Sequence, residues 1–310
     1  MPRLSSSSLF TLAILMARVF VPTAASPLPP TDILLDEVAY ISADAGGELV
    51  GYRVDGSLVG RLPHESALQT RQSSGCKLMS VDEAKSLDGW GDIEKYAHDN
   101  WGKKKYNLAN DFEGRSALVC VDQEPAVLNA DATPSCTNRE SSTGGTLVGT
   151  SGQVTISYTQ GYSQSAAMTV TESTSLGSSL TANVGFKLLD LLDVGASVTT
   201  TATVTNTVSE SFTVTETSQD TQSVTMQAAE GKTCQLRFTN KTCSVQGSGT
   251  VKYVASGWIW FNYVDKTKGH YKWGVNIGAV VPDVNRRSAT ASVRGVVSGE
   301  SKSEYQGSCE

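Results

Sequence analysis

The chain has 310 residues, a net charge of -6 and a sequence pI near 5.2. Its length allows one large β domain or two smaller domains. The acidic balance argues against a nucleic-acid partner, which needs a basic surface. It also argues against binding anionic lipid by bulk charge, whereas insertion into a membrane stays open.

Short catalytic signatures are absent from the sequence: it has no Gly-x-Ser-x-Gly elbow, phosphate-binding loop or His-Glu-x-x-His pair. The three histidines are scattered, and no Cys/His pairs have the spacing of zinc ligands. We therefore expect no enzymatic activity, no metal and no cofactor. A pair of glycosidase carboxylates stays open because acidic residues are plentiful, although nothing marks one.

Residues 1–25 are predicted to be a secretory signal peptide. Arg3 precedes an apolar stretch from Leu9 to Val21, and small residues from Thr23 to Ser26 form a cleavage zone. The alternative is a membrane anchor, but the apolar stretch is shorter than the roughly 20 residues that a spanning helix needs. We therefore expect a secreted, extracellular protein.

Residues 26–75 are predicted to be a pro-region or a linker arm. This segment opens with prolines and contains two strand-like runs, from Ile33 to Ile41 and from Glu48 to Val54. It closes with a polar stretch around Arg71, which is either a proteolytic processing site or a plain linker.

Residues 76–140 are predicted to be a small α+β region that serves in receptor binding or as a head. The segment from Ser80 to Glu83 fits a helix capping box. Trp90, Ile93 and Tyr96 recur at helical spacing. The expected structure is two short helices that pack aromatic side chains against a sheet.

Six cysteines in a secreted chain predict disulfide bonds. The disulfide candidates are Cys76, Cys120, Cys136, Cys234, Cys243 and Cys309. Many pairings are open, but Cys234 and Cys243 flank a predicted hairpin turn, so they are expected to pair locally. Cys120 would then pair with Cys136, and Cys76 with Cys309. The same turn carries a glycosylation sequon at Asn240.

Residues 141–310 are predicted to be one large β domain. From Ser141 to Met226 about two in five residues are Ser or Thr, and no proline occurs between Ser135 and Val281. An O-glycosylated stalk would be rich in proline, so long strands are favoured. The expected fold class is mainly β, with elongated, long-stranded twisted antiparallel sheets and a small α-containing N-terminal region.

Side chains alternate with a period of two on both sides of a leucine-rich segment, which predicts an amphipathic β-hairpin over about residues 174–209. The alternation continues from Ser197 to Gln227, but only about Val198 to Val208 is expected to meet lipid, and the remainder to Gln227 is expected to belong to the body outside the membrane. One face is apolar: Leu176, Leu180, Ala182, Val184, Phe186, Val198, Ala202, Val204 and Val208. The other face is polar: Ser175, Ser179, Thr181, Asn183, Ser197, Thr199, Thr201, Thr203, Thr205 and Thr207. The tip consists of Leu188, Leu189, Leu191, Leu192 and Val194.

A turn near Leu191 would place Phe186 opposite Val198 and Ala182 opposite Ala202. The strands Leu176–Phe186 and Val198–Val208 would each match the roughly 9–11 residues of a membrane-spanning β-strand. One hairpin cannot close a barrel, so membrane insertion requires a ring of copies, with the apolar face toward lipid and the polar face toward the lumen. The alternative is a soluble sheet whose apolar face packs on another sheet.

Three sequence features accompany this hairpin. Tyr158 to Ser163 leads into the Ser/Thr-rich strand, Val184-Gly185-Phe186 enters the apolar tip, and Ala228 to Lys232 closes the return strand. With these features the segment from Gly152 to Val264 resembles the aerolysin-like β-pore-forming proteins, particularly the epsilon-toxin, mosquitocidal-toxin and natterin branch. Family members commonly have Pro-Pro-Gly or Pro-Ala-Gly at the closing turn, where this chain has Ala229-Glu230-Gly231.

The resemblance implies a mostly β, secreted molecule that binds a surface receptor, forms a homo-oligomer and inserts the hairpin as a transmembrane β-barrel. The receptor would be a glycan or a protein. A second hypothesis is a carbohydrate-binding or adhesive cell-surface protein that uses a cluster of aromatic side chains. Its candidates for stacking on a sugar or lying at a bilayer interface are Trp258, Trp260, Tyr271 and Trp273. Core packing is the alternative role for these aromatics.

Overall fold

A computed structural model describes residues 37–43, 48–62, 75–146, 151–192 and 199–310. The predicted signal peptide lies outside these residues, as does the stretch around Arg71. The described chain is mainly β with long antiparallel strands and few helices, so the predicted fold class is confirmed.

The described elements are, in chain order, β1 (Tyr40–Ala43), β2 (Leu49–Tyr52), β3 (Leu58–Leu62), β4 (Cys76–Leu78), α1 (Val81–Lys85), α2 (Trp90–Trp101), β5 (Tyr106–Ala109), β6 (Asp111–Phe112), β7 (Arg115–Val121), β8 (Ala126–Val127), β9 (Asn129–Ala130), β10 (Ser135–Thr146), β11 (Gly152–Glu172), β12 (Thr181–Lys187), β13 (Thr199–Thr205), β14 (Ser211–Ala228), β15 (Thr233–Thr267), β16 (His270–Asn276), α3 (Ile277–Val280), a 3-10 turn (Val284–Arg287) and β17 (Ser288–Cys309).

Strand β15 is the centre of the main sheet. It has 35 residues, and both of its edges are paired. One edge pairs with β17 and then with β16, while the other pairs in turn with β10, β9, β7 and β5. The hairpin turn predicted around Asn240 is therefore wrong, because Asn240 lies within this continuous strand, opposite Arg139 and Lys302.

The described strands form two sheets. The larger has 14 strands, with β14, β11, β17, β15, β16, β1, β2 and β3 in that order along its main path. The smaller contains β13, β12 and β8. The alternating run from Ser197 to Gln227 is therefore not one strand: β13 and β14 belong to different sheets, and residues 206–210 turn between them.

Strand β11 separates from β17 at Gly161. Beyond this residue, toward Gly152, β11 pairs only with β14 among the described strands. This two-stranded ribbon packs over β15 and β17 and encloses a small core of its own, which contains Ile156, Ala228 and Leu236. The positive φ of Gly161 (117°) permits the change of direction.

The segment predicted as a pro-region or linker arm contributes three strands to the main sheet. Strand β1 pairs with β16, and the side chains of Val38 and Ile41 are fully buried. A linker would not carry core residues of this kind. Removal of residues 26–71 by proteolysis stays a prediction.

The helical predictions are confirmed. Ser80 caps α1, and its capping box with Glu83 is complete. Helix α2 buries Ile93, Ala97 and Trp101, and the ring of Trp101 lies 6.1 Å from that of Phe261 in β15. Strand β10 is continuous across residues 140 and 141, where the sequence predicts a boundary between two regions. The separate roles of these two regions stay predictions.

All six cysteines form disulfides, but every predicted pairing is wrong. The bonds join Cys76 to Cys120, Cys136 to Cys243 and Cys234 to Cys309. Each bond connects two residues that lie directly opposite each other on adjacent strands. Proximity along the chain did not identify them, because sheet register brings together cysteines that are 44 to 107 residues apart.

Candidate functional site

Strands β12 and β13 form the predicted hairpin, with a different register and shorter strands. Thr181 lies opposite Thr205 and Val184 opposite Ala202, which is two residues away from the predicted pairing. Even positions still face even positions, so the expected separation of faces is confirmed. Each strand has seven residues instead of eleven, because residues 173–180 and 206–210 form turns.

The apolar face of the hairpin is packed against the body of the protein. Phe186 is fully buried, and its ring stacks on that of Phe212 in β14 with centroids 5.2 Å apart. The other buried members are Leu176, Leu180, Ala182, Val184, Ala202 and Val204. Val208 was predicted on this face, but it is 51 % exposed and lies in the turn before β14. Val198 lies outside the described residues.

The polar face of the hairpin is directed to solvent. The exposed members are Ser175, Ser179, Thr181, Asn183, Thr199, Thr201, Thr203 and Thr207, while Thr205 is half-buried. Cross-strand hydrogen bonds link the hydroxyls of Thr181 and Thr205 (2.9 Å), and the Thr203 hydroxyl donates to Asn183 Oδ1 (2.9 Å). Ser175, Ser179 and Thr207 lie in the turns and not in the strands, and Ser197 lies outside the described residues.

The leucine-rich tip is also held by the body. Leu188, Leu191 and Leu192 are buried, and Leu189 is half-buried. Two polar side chains of the main sheet donate to backbone carbonyls of the tip: the Gln164 amide to Leu189 O, and Lys241 Nζ to Leu192 O (3.3 Å). Val194 lies outside the described residues.

Asn206 fastens the base of the hairpin. Its side chain is 1 % exposed, and its amide nitrogen lies 3.0 Å from Thr174 O, 3.3 Å from Leu176 O and 3.0 Å from Gly177 O. Its Oδ1 accepts from the Thr174 N–H at 3.2 Å. Sequence analysis missed this residue, although a single Asn at an otherwise apolar even position was a usable signal.

A charged pair from the body holds the same turn. Glu83 Oε1 accepts from the Gly177 N–H (2.9 Å) and lies 3.2 Å from Lys77 Nζ, which donates to Ser178 O (2.6 Å). Burial raises the pKa of Glu83, but hydrogen bonds from Ser80, Gly177 and Lys77 lower it more, so the net pKa is below its usual value. Glu83 is therefore ionised at neutral pH and holds Gly177 firmly.

The three tryptophans of the aromatic cluster belong to the core, which is the alternative role named for them above. Trp258, Trp260 and Trp273 are 7 %, 0 % and 3 % exposed. The Trp260 indole N–H donates to Arg115 O (2.7 Å) and that of Trp273 to Thr267 Oγ1 (2.9 Å). Their role in stacking on a sugar or at a bilayer interface is therefore wrong for this conformation. Tyr271 is half exposed, with Lys266 Nζ 5.4 Å from its ring centroid.

Asn240, the predicted glycosylation acceptor, has a half-buried side chain within β15, and its modification stays a prediction. Within the described ranges, no group of His, Cys, Asp and Glu side chains could hold a metal ion. No helix in the described part of the chain is long and apolar enough to cross a membrane.

No protein-family model and no curated protein matches the chain. Three of the solved structures that are similar to the chain are described here. The parasporin-2 toxin of Bacillus thuringiensis, which recognizes cancer cells, is 17 % identical at a TM-score of 0.35, covering 76 % of this chain and 97 % of that one. The Mpp75Aa1.1 beta-pore-forming protein of Brevibacillus laterosporus is 15 % identical at 0.32, covering 75 % and 89 %. An aerolysin-like protein of Bombina maxima is 10 % identical at 0.23, covering 63 % and 96 %.

Proposed function

We propose that this is a secreted, aerolysin-like pore-forming protein that oligomerises on a target membrane and inserts residues 174–209 into a transmembrane β-barrel. One observation carries the proposal: the amphipathic hairpin of β12 and β13 is not part of the main sheet. Among the described strands its only ladder with the body is the pair of positions that join β12 to β8. The hairpin can therefore leave without breaking the 14-stranded sheet.

The apolar face explains why the hairpin would stay in place until a membrane is reached. Eight large side chains are buried with it: Leu176, Leu180, Val184, Phe186, Leu188, Leu191, Leu192 and Val204. Exposing them to water would cost on the order of 10–20 kcal/mol, as an upper estimate. Hydrocarbon can replace the body as their partner, so this cost falls only where lipid is available.

The polar face suits the inside of a pore. Within a bilayer each backbone group must be paired, so one hairpin requires neighbouring copies that close a ring. Ser and Thr side chains then line a water-filled lumen without needing a charged partner. The same hydroxyls face water while the hairpin is packed on the body, a conformation that we call the stored form. One sequence can therefore serve both the stored form and the inserted form. The chain is proposed to act without catalysis or a cofactor.

The three disulfides fit an extracellular protein, because such bonds persist in oxidising compartments. The partners are proposed to be a target membrane with a glycan or protein receptor, and further copies of this chain. A carbohydrate-binding or adhesive function is not proposed, because the three tryptophans that it would use, Trp258, Trp260 and Trp273, are buried.

A disulfide between the hairpin and the body tests the proposal. Val127 of β8 lies opposite Lys187 of β12, and both side chains are exposed. The pair V127C/K187C should bond across the strands and abolish release of dye from phosphatidylcholine–cholesterol vesicles and of haemoglobin from erythrocytes. The single variants V127C and K187C are the controls, and both should release cargo like the parent.

Detergent-resistant rings should form from the parent and should be visible by electron microscopy. A parent protein that releases nothing from either target, or a locked variant that releases as much as the parent, would refute the proposed function.

A further inference from the structure

The hairpin and the strands that flank it have different registers. Strands β11 and β14 end with Thr169 opposite Ser211. Strands β12 and β13 begin with Thr181 opposite Thr205. Eleven residues, 170–180, connect the two ladders on one side, whereas five residues, 206–210, connect them on the other. One connection is therefore six residues longer than the other.

In the stored form the surplus is folded into the turn of residues 173–180. The backbone N–H of Ser179 donates to Asn206 O, and that of Asn206 donates to Leu180 O. Ser179 and Ser209, one in each connection, have positive φ values of 58° and 71°. This conformation is unfavourable for a residue other than glycine by about 1–3 kcal/mol, so both connections would relax on extension.

Strands β11 and β12 must join if the hairpin extends from the body as one ladder, as must β13 and β14. With the stored register, six residues would bulge from one strand, and their backbone groups would lack cross-strand partners. Such unpaired groups are costly within a bilayer. A shift of β12 against β13 by six residues removes the bulge, and because six is even, every side chain keeps its face.

The shift also aligns the apolar segments of the two strands. In the register of β11 and β14, Leu176 lies opposite Val204 and Leu188 opposite Leu192. The even positions from 176 to 188 and from 192 to 204 are apolar apart from Ser178 and Thr200. In the stored register, by contrast, an extended strand would place Leu176 opposite Glu210, a charge that is costly near lipid.

We propose that the hairpin changes register by six residues on insertion. Residues 176–188 and 192–204 then lie directly opposite each other and form one band, whose even-numbered side chains face lipid. This inference rests on the proposed function. The band is 13 residues long on each strand, which is enough for a transmembrane β-strand of about 9–11 residues. Glu172 and Glu210 then lie just outside it, at the water-facing end.

Two cross-strand disulfides distinguish a sliding ladder from a fixed one. T181C/T205C joins residues whose hydroxyls are 2.9 Å apart in the stored register, and it prevents sliding. T169C/S211C joins an equivalent pair, also 2.9 Å apart, in the ladder whose register stays the same. Neither bond ties the hairpin to the body. All three native disulfides join strand partners of this kind, so the geometry is one that this fold accepts.

Oxidised T181C/T205C should fold with the melting temperature of the parent or above it, and should release at least tenfold less dye from phosphatidylcholine–cholesterol vesicles. Oxidised T169C/S211C should release dye like the parent. A third variant, T181C/T199C, should keep two free thiols in solution and form an intramolecular disulfide only in assembled rings, as detected by peptide mass spectrometry.

Parental dye release by oxidised T181C/T205C would overturn the change of register while leaving the proposed function intact. Loss of release in T169C/S211C as well would overturn the claim that the flanking ladder keeps its register. A parent that releases no dye refutes the proposed function, and the register change with it.

Discussion

The fastening of the hairpin depends on a small number of buried polar groups. Asn206 supplies the amide that three carbonyls of the 173–180 turn share, and Glu83 accepts from the N–H of Gly177 in the same turn. An unmet hydrogen bond inside a protein costs more than a formed one contributes. Such residues therefore decide whether the turn stays closed, although they supply little of the buried area.

Replacing Asn206 by Asp should weaken the stored form. Asp keeps an oxygen for the Thr174 N–H but loses the donors, and it places a carboxylate beside three carbonyls. We expect N206D to lower the free energy of unfolding by about 2–4 kcal/mol, measured by urea denaturation at neutral pH.

The matched control is N183D, which makes the same change on the exposed face of the same hairpin. Its oxygen still accepts from Thr203, so its effect should stay within about 0.5 kcal/mol. Equal effects of the two variants would contradict the special role of Asn206.

At the scale of elements, the fold depends on where strands part as much as on where they pair. Strand β11 leaves β17 at Gly161, where a Cβ atom would lie 2.1 Å from Ser218 O of the partner strand β14. A side chain at this position would therefore push β11 and β14 apart.

Gly161→Ala should consequently destabilise the protein by about 2 kcal/mol or more, since it adds both the clash and an unfavourable φ. The control is Gly152→Ala at the start of the same strand, where a Cβ atom would meet nothing within 4 Å. Urea denaturation measures both. Unchanged stability of G161A, or a loss in G152A as large as in G161A, would show that Gly161 does not set this separation.

The period-two pattern predicted the strands and their faces but not where one strand ends. Thr199–Thr205 and Ser211–Ala228 follow the same alternation, so the period-two pattern alone indicates no break between them. The break depends on Asn206, whose partners lie about 30 residues earlier in the chain. The helices were predictable because Ser80, Glu83 and the spacing of Trp90 and Ile93 are local signals.

At the scale of the whole molecule, pairing between strands that are far apart in the sequence explains why the disulfide predictions are wrong. The predicted disulfides followed proximity in sequence, whereas the real ones follow the register of β15 and its neighbours. The same long-range pairing buried the three tryptophans that composition alone left available for a ligand. Contacts of this kind have no local signature.

Removing a disulfide should cost stability in proportion to the logarithm of the loop it closes. The Cys136–Cys243 bond spans 107 residues and the Cys76–Cys120 bond spans 44. We expect C136S/C243S to lower the free energy of unfolding by about 3–5 kcal/mol and C76S/C120S by somewhat less, as measured by urea denaturation. A larger loss in C76S/C120S would contradict this order.

The positions of these disulfides have a consequence for how the chain is restrained. No cysteine lies between Cys136 and Cys234, so the ribbon of β11 and β14 and the hairpin between its strands carry no covalent cross-link. The ladders of β4 with β7, β10 with β15 and β15 with β17 are each fixed by one. Covalent bonds thus hold the framework at fixed registers, while the one segment that would need to slide is tied only by hydrogen bonds and packing.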